Sequence, residues 1–265
     1  MTAPDSQTDV IPTGIDALDS HLGGGLPSGT TIGLCAPAAS AGEFVAYSIA
    51  TAPNRATTYL TTARSADAVE TDLGRYRAHA RTPPVAGGTH DQDRDGVHPL
   101  TVSRIPLPLG DEAGPQETKP ERTVTGCIEA ALEPIEPSIP GRAGTTDQTS
   151  QRPPVLVVDA FSSVVDRTTA DVWRPLLNKI TTTVTERDGL ACLVVHSNPD
   201  GPTSPLRHVL HTMDAVATYD AGGVDEPDRL RLTKLRPKAP ATPSLPVTLP
   251  LLVEDVIKRN PDERA

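Results

Sequence analysis

Apolar positions along this chain fall into short blocks that alternate between two rhythms. Near-continuous apolar runs bounded by turn residues read as buried strands: "TTIGLCA" (30–36), "RATTYLTT" (55–62), "PVLVVDAFSS" (154–163) and "LACLVVHSN" (190–198). Between them stand longer segments with apolar residues every three or four positions. These predict helices at "SAGEFVAYSIATA" (40–52), "SADAVETDLGRYRAHA" (65–80), "TADVWRPLLNKITTTVTER" (169–187) and "PLRHVLHTM" (205–213). Pro175 is compatible with the third of these if it sits in the first turn, where its missing N–H costs nothing. "DAVATYD" (214–220) and "RLRLTKLR" (229–236) predict a closing pair of strands with a turn at Gly222 and Gly223. Strands alternating with helices predict an α/β fold with a mainly parallel sheet covered on both faces.

Two segments depart from this alternation. At the N-terminal end, "IPTGIDALDSHLGGGLPSG" (11–29) forms a compact unit. Thr13, with Asp16 three residues on, resembles a helix start, and Gly23, Gly24 and Gly25 stop that helix. From about residue 82 to 154 the chain is rich in Pro, Gly, Asp and Thr, with two islands, "LTVSRI" (a strand) and "RTVTGCIEAALE" (a helix). The expectation is one domain over 1–265 with a mobile insertion at about 82–154.

Composition narrows the classes. Hydrophobic residues make up 37% and aromatics 3%, so the core must be built from Val, Leu, Ile and Ala. No apolar run approaches the roughly 20 residues of a membrane helix, and the N-terminal stretch lacks a signal-peptide pattern, so the expected location is the cytoplasm, with no membrane partner. Cys35, Cys127 and Cys192 show no metal-ligand spacing and read as free thiols. Net charge is −10, and Lys119, Lys179, Lys234, Lys238 and Lys258 are the five lysines. That balance resembles a halophilic, haloarchaeal protein and disfavours non-specific binding to nucleic acid.

The unit at 11–29 carries a resemblance. Thr13, Gly14, Asp16, Leu18, Asp19, Gly23, Gly24, Gly25, Pro27 and Gly29 match in order the opening of the KaiC/RadA branch of the RecA-like ATPases. "VLVVDAFS" resembles that family's Walker B strand, "LVVHSN" its sensor strand and "LTKLR" its Lys-x-Arg strand. The resemblance implies a RecA-like sheet with a phosphate loop between residues 35 and 44.

The chemistry of that loop is missing. Laid on G-x-x-x-x-G-K-[ST], "APAASAGE" puts Ala36 and Ala41 at the two glycines, Gly42 at the lysine and Glu43 at the metal-holding hydroxyl. A glutamate beside phosphate repels it by about 4 kcal/mol at ~4 Å and an effective dielectric of ~20. The resemblance also places an acid at the end of the second strand, to activate water, and Ala63 stands there instead. Asp159 is retained at the Walker B position, where it either ligates metal or caps a turn.

Three readings of the loop stay open at this level: an ordinary strand-to-helix turn, a weak anion or ATP site using Ser40 and backbone N–H groups, and a working ATPase. His196, with Ser197 and Asn198, ends the sensor strand. Lys234 and Arg236 match positions that in KaiC-like assemblies reach a neighbouring subunit's nucleotide. His208 and His211 lack further ligands for a metal, and Trp173 reads as packing. The expectation is therefore a non-hydrolysing pseudo-ATPase without a catalytic residue, cofactor or metal. It would act as a regulatory or scaffolding protein, for example in signal transduction, through a protein partner or a homo-oligomer. The alternatives are an ATPase with a divergent site and a DNA-repair accessory protein related to recombinase paralogues.

Overall fold

A computed structural model describes residues 9–38, 40–80, 99–107, 120–133, 152–196, 205–223, 226–236 and 244–247. The 11–29 unit opens with β1 (Val10–Ile11), α1 (Asp16–Leu22) and β2 (Leu26–Pro27), the two strands pairing antiparallel. The main sheet begins with β3 (Thr30–Cys35), which leads into α2 (Glu43–Thr51). Next come β4 (Ala56–Thr61), α3 (Ala66–Ala80), β5 (Leu100–Arg104) and α4 (Pro120–Leu132). The chain then runs through β6 (Pro154–Asp159), α5 (Phe161–Arg167), α6 (Ala170–Glu186), β7 (Leu190–Val195) and α7 (Pro205–Thr212). It closes with β8 (Ala215–Asp220), β9 (Arg229–Leu235) and β10 (Ser244–Pro246).

The sheet has eight strands in the order β10-β9-β8-β3-β7-β6-β4-β5. Pairings from β8 through to β5 are parallel, and β9 and β10 add antiparallel at one edge. Burial on both faces explains the continuous apolar runs: every residue of β3 and β7 is buried. Their side chains divide by alternation. Leu190, Cys192 and Val194 face the side covered by α2 and α3, whereas Ala191, Leu193 and Val195 face α4, α5 and α6. Cys35 and Cys192 are buried, and burial pushes the Cys35 thiol up to about 11, so neither is a poised nucleophile.

The structure alters several local expectations. Thr13 does not cap α1; the N-cap is Ile15, with no side-chain cap. The polarity is reversed, with Asp19 reaching back to accept from Thr13 N–H (2.7 Å), Thr13 Oγ1 (2.7 Å) and Gly14 N–H (3.0 Å). Gly14 has φ +79°, and a Cβ there would lie 2.6 Å from the Ser48 carbonyl oxygen, so the turn demands glycine. Gly23 does stop α1, in the left-handed conformation. Pro175 is the sixth residue of α6 rather than a first-turn residue, and sits on its exposed side. The two islands form β5 and α4, the latter starting at Pro120. The expected mobility of 82–154 otherwise concerns residues outside those described. Strand β10, three residues paired with β9, lies outside the elements that the apolar pattern predicts.

Candidate functional site

Strand register brings the candidate residues together. Cys35 of β3 pairs with Val195 of β7, and Thr61 of β4 pairs with Asp159 of β6. The carboxyl ends of these strands therefore lie side by side, which is where open α/β sheets place their ligands. Ala36, Ala63, Asp159 and His196 all sit at that edge.

Among its described residues, the loop from β3 to α2 is closed on itself. Ser40 Oγ donates to the Pro37 carbonyl (2.7 Å) and accepts from Gly42 N–H (3.2 Å). Phe44 N–H and Val45 N–H, at the start of α2, are taken up by the carbonyls of Ala41 and Gly42. Gly42 is buried, and a Cβ there would meet Ala36 Cβ at 2.4 Å, Ser40 Oγ at 3.1 Å and the Tyr219 ring at 3.1 Å. Its φ of −59° is ordinary, so glycine is required here by space rather than by backbone angle. The methyl of Ala36 occupies the volume that a side chain at position 42 would need.

Glu43 opens α2, where its charge suits the positive end of the helix dipole. Arg64 comes within 4.0 Å of its carboxylate. The same guanidinium donates to Tyr47 Oη (2.8 Å) and pairs with Asp72 of α3. Burial disfavours its charge, but Asp72, Tyr47 and Glu43 outweigh that and hold its pKa above the ordinary value. Arg64 directly follows Ala63, which is exposed. Thr61 Oγ1 fixes the turn by accepting from Arg64 N–H at 3.2 Å.

Asp159 is 8% exposed and both its oxygens are engaged. Oδ2 accepts from Tyr59 Oη at 2.7 Å, and Oδ1 lies 3.1 Å from His196 Nε2. The hydrogen bond to Asp159 raises the His196 pKa, against the lowering effect of burial. The nearby Ala36 backbone and Glu43 also favour the charged ring, yet Nδ1 is buried without a partner of hydrogen-bond geometry. Thr62 Oγ1 accepts from Ala160 N–H (2.9 Å), and Ser162 Oγ accepts from His196 N–H (3.0 Å), so backbone bonds lock the same strand ends.

Sequence reading missed Tyr59, Arg64, Tyr47 and Asp72. One signal for the tyrosines was available. The chain has seven aromatic residues, and Phe44, Tyr47, Tyr59 and Tyr76 form one cluster with ring centroids 5.7–5.9 Å apart. In so aromatic-poor a chain, that concentration marks this place.

Other candidates lie elsewhere. Lys234 Nζ donates to the carbonyls of Leu210 (3.3 Å), His211 (2.7 Å) and Met213, satisfying the carboxyl end of α7. Arg236 follows β9 and is exposed; its N–H donates to the Asp214 carbonyl. His208 and His211 are exposed on α7, with His208 edge-on to buried Trp173. Ser197 and Asn198 lie outside the described residues. Among the described residues, no three His, Cys, Asp or Glu side chains group as a metal site, and no helix is long and apolar enough to cross a membrane.

The mostly parallel sheet, helix-covered on both faces, is a RecA-like α/β fold. A solved structure similar to it is the KaiC-like protein PH0186 from the hyperthermophilic archaeon Pyrococcus horikoshii OT3. The two superpose with a TM-score of 0.56 over 89% of this chain and 93% of that one, at 12% identity. A family model, DUF7125, a family of unknown function, matches residues 10–101. No curated protein matches the sequence.

Proposed function

We propose that this chain is a KaiC-like, RecA-fold pseudo-ATPase: it neither holds a nucleotide tightly nor hydrolyses it, and it serves as a regulatory or scaffolding protein. One observation carries the reading. The place where a nucleotide phosphate and its Mg²⁺ would sit is filled by the chain's own groups. Ala36 Cβ blocks a side chain at position 42. Asp159, the acid suited to a metal, is occupied by Tyr59 and His196. Glu43 adds a negative charge where phosphate would need a positive one. The residues present do not fit a magnesium nucleotide. A fold that keeps its frame without this chemistry has binding as its remaining use. With a net charge of −10, a protein partner or a second copy suits it better than nucleic acid.

Calorimetry with ATP, with and without Mg²⁺, alongside a phosphate-release assay, tests this directly. The expected affinity is millimolar or weaker, about −4 kcal/mol, with no turnover. Micromolar ATP binding, or turnover abolished by Asp159→Asn, would instead establish the divergent ATPase.

A further inference from the structure

We infer that Arg64 and Glu43 form a latch that holds the β3–α2 loop shut, with an internal carboxylate standing in for an external anion. The inference rests on the closed-site reading above and names what maintains the closure. Arg64 is anchored at its base, because Thr61 Oγ1 holds its N–H, and the guanidinium is anchored again by Asp72 of α3 and Tyr47 of α2. From that fixed position it reaches Glu43, the first residue of α2 and the residue after Gly42. Pulling the loop outward to admit a phosphate would draw Glu43 away from Arg64. It would also break the Ser40 Oγ contact with Gly42 N–H and lift Gly42 off Ala36 and Tyr219. The ion pair and the loop packing oppose the same motion. They belong to different elements, since Arg64 lies between β4 and α3.

The pair is part-exposed, with side-chain exposures of 29% and 19%, so its contribution is modest and open to salt. That sets the experiment. Amide hydrogen exchange at Gly42, read by NMR in low salt and in molar KCl, reports loop opening in the wild type, Glu43→Gln and Arg64→Gln. In low salt, Glu43→Gln is expected to exchange about two- to fivefold faster, the range an ion pair of this exposure supports. Arg64→Gln also removes the contacts to Asp72 and Tyr47 and should exceed Glu43→Gln, whereas the double variant should exceed Arg64→Gln by little, because the contact to Glu43 is already lost there. At molar KCl the gap between Glu43→Gln and wild type should close. Should Arg64→Gln fail to fold, Arg64→Lys keeps the charge and should fall between wild type and Glu43→Gln. Unchanged exchange in Glu43→Gln, additive effects in the double variant, or a Glu43→Gln gap that persists at molar KCl would each overturn the latch. Calorimetry with inorganic pyrophosphate on the wild type separates the two readings. Micromolar binding there would overturn the closed site, while the exchange data still decide the latch.

Discussion

Gly42 and Ala36 exchange roles relative to a working phosphate loop. There, glycine comes first and a long side chain later; here the methyl is at 36 and the bare backbone at 42. The swap makes the pair testable as a unit. Gly42→Ala places a Cβ 2.4 Å from that of Ala36 and should cost about 1–3 kcal/mol, the usual range for overpacking. Adding Ala36→Gly should recover most of that loss, although alone it removes a buried methyl. Urea unfolding of the two singles and the double measures the coupling; additive losses would show that the two positions do not share one volume. Restoring lysine at 42 meets the same obstacle, so Gly42→Lys needs Ala36→Gly beside it. His196 gives a second residue-level expectation. Its pKa is raised above 6.5 by Asp159. A raised folded-state pKa means its stabilisation is complete below 6.5 and fades as pH rises through the raised value. The stability gap between wild type and His196→Gln should therefore narrow with increasing pH. A gap that widens instead would show that the neutral ring is the bound form.

At the scale of elements, a buried arginine ties the 11–29 unit to α2, beside the apolar packing of Ile11, Ile15, Leu18 and Leu26 in the core. Arg55, just before β4, is 1% exposed; it donates to the carbonyls of Ile49 in α2 (2.9 Å) and Pro12. Burial pushes its pKa down to about 10, while Asp19 pulls the other way. Its Nε has no partner, so the contact is not fully compensated. Arg55→Met should strand two carbonyls and cost about 3 kcal/mol in chemical unfolding. Protection of α1 amides should fall furthest; a loss spread evenly over the sheet would mean that Arg55 does not act as the link. Sequence alone exposed the elements whose signal is local. The apolar runs of β3, β6 and β7 and the periodicity of α3 and α6 follow from burial on the sheet faces. It did not expose contacts made at a distance. Thr13 has the look of a cap, but Asp19, from inside the helix, satisfies the turn. Strand β10 is three residues long and forms by pairing with β9, which no local pattern announces. Pro175 is tolerated deeper in α6 than its backbone predicts, because five buried side chains from Trp173 to Val184 hold that helix to the core.

For the molecule as a whole, the site was half legible. That Gly42, Glu43 and Ala63 stand where a phosphate loop and its water-activating acid would call for lysine, a hydroxyl and a carboxylate is plain in the residues. The contacts around them are not, since Arg64, Tyr59 and Asp72 enter from separate elements and only register and helix packing bring them together. The overall charge, by contrast, is wholly a sequence property. Asp and Glu exceed Lys and Arg by 34 to 24, and described surface pairs such as Lys179–Glu129 and Arg231–Asp220 join exposed side chains. Self-repulsion of that kind works against the compact state and is relieved by salt. The Debye length shrinks from about 10 Å at 0.1 M to about 3 Å at 1 M. Screening should therefore raise the melting temperature most steeply below about 1 M KCl, then level off. If screening is worth about 2 kcal/mol, the rise is roughly 4–8 °C for a chain of this size. Salt exclusion from the surface also stabilises proteins, but that effect keeps growing with concentration, and sucrose reproduces it. A salt series with a sucrose control separates the two. A rise that saturates and that sucrose does not reproduce supports adaptation to a salty environment, and a melting temperature that stays flat or falls between low and molar KCl removes it.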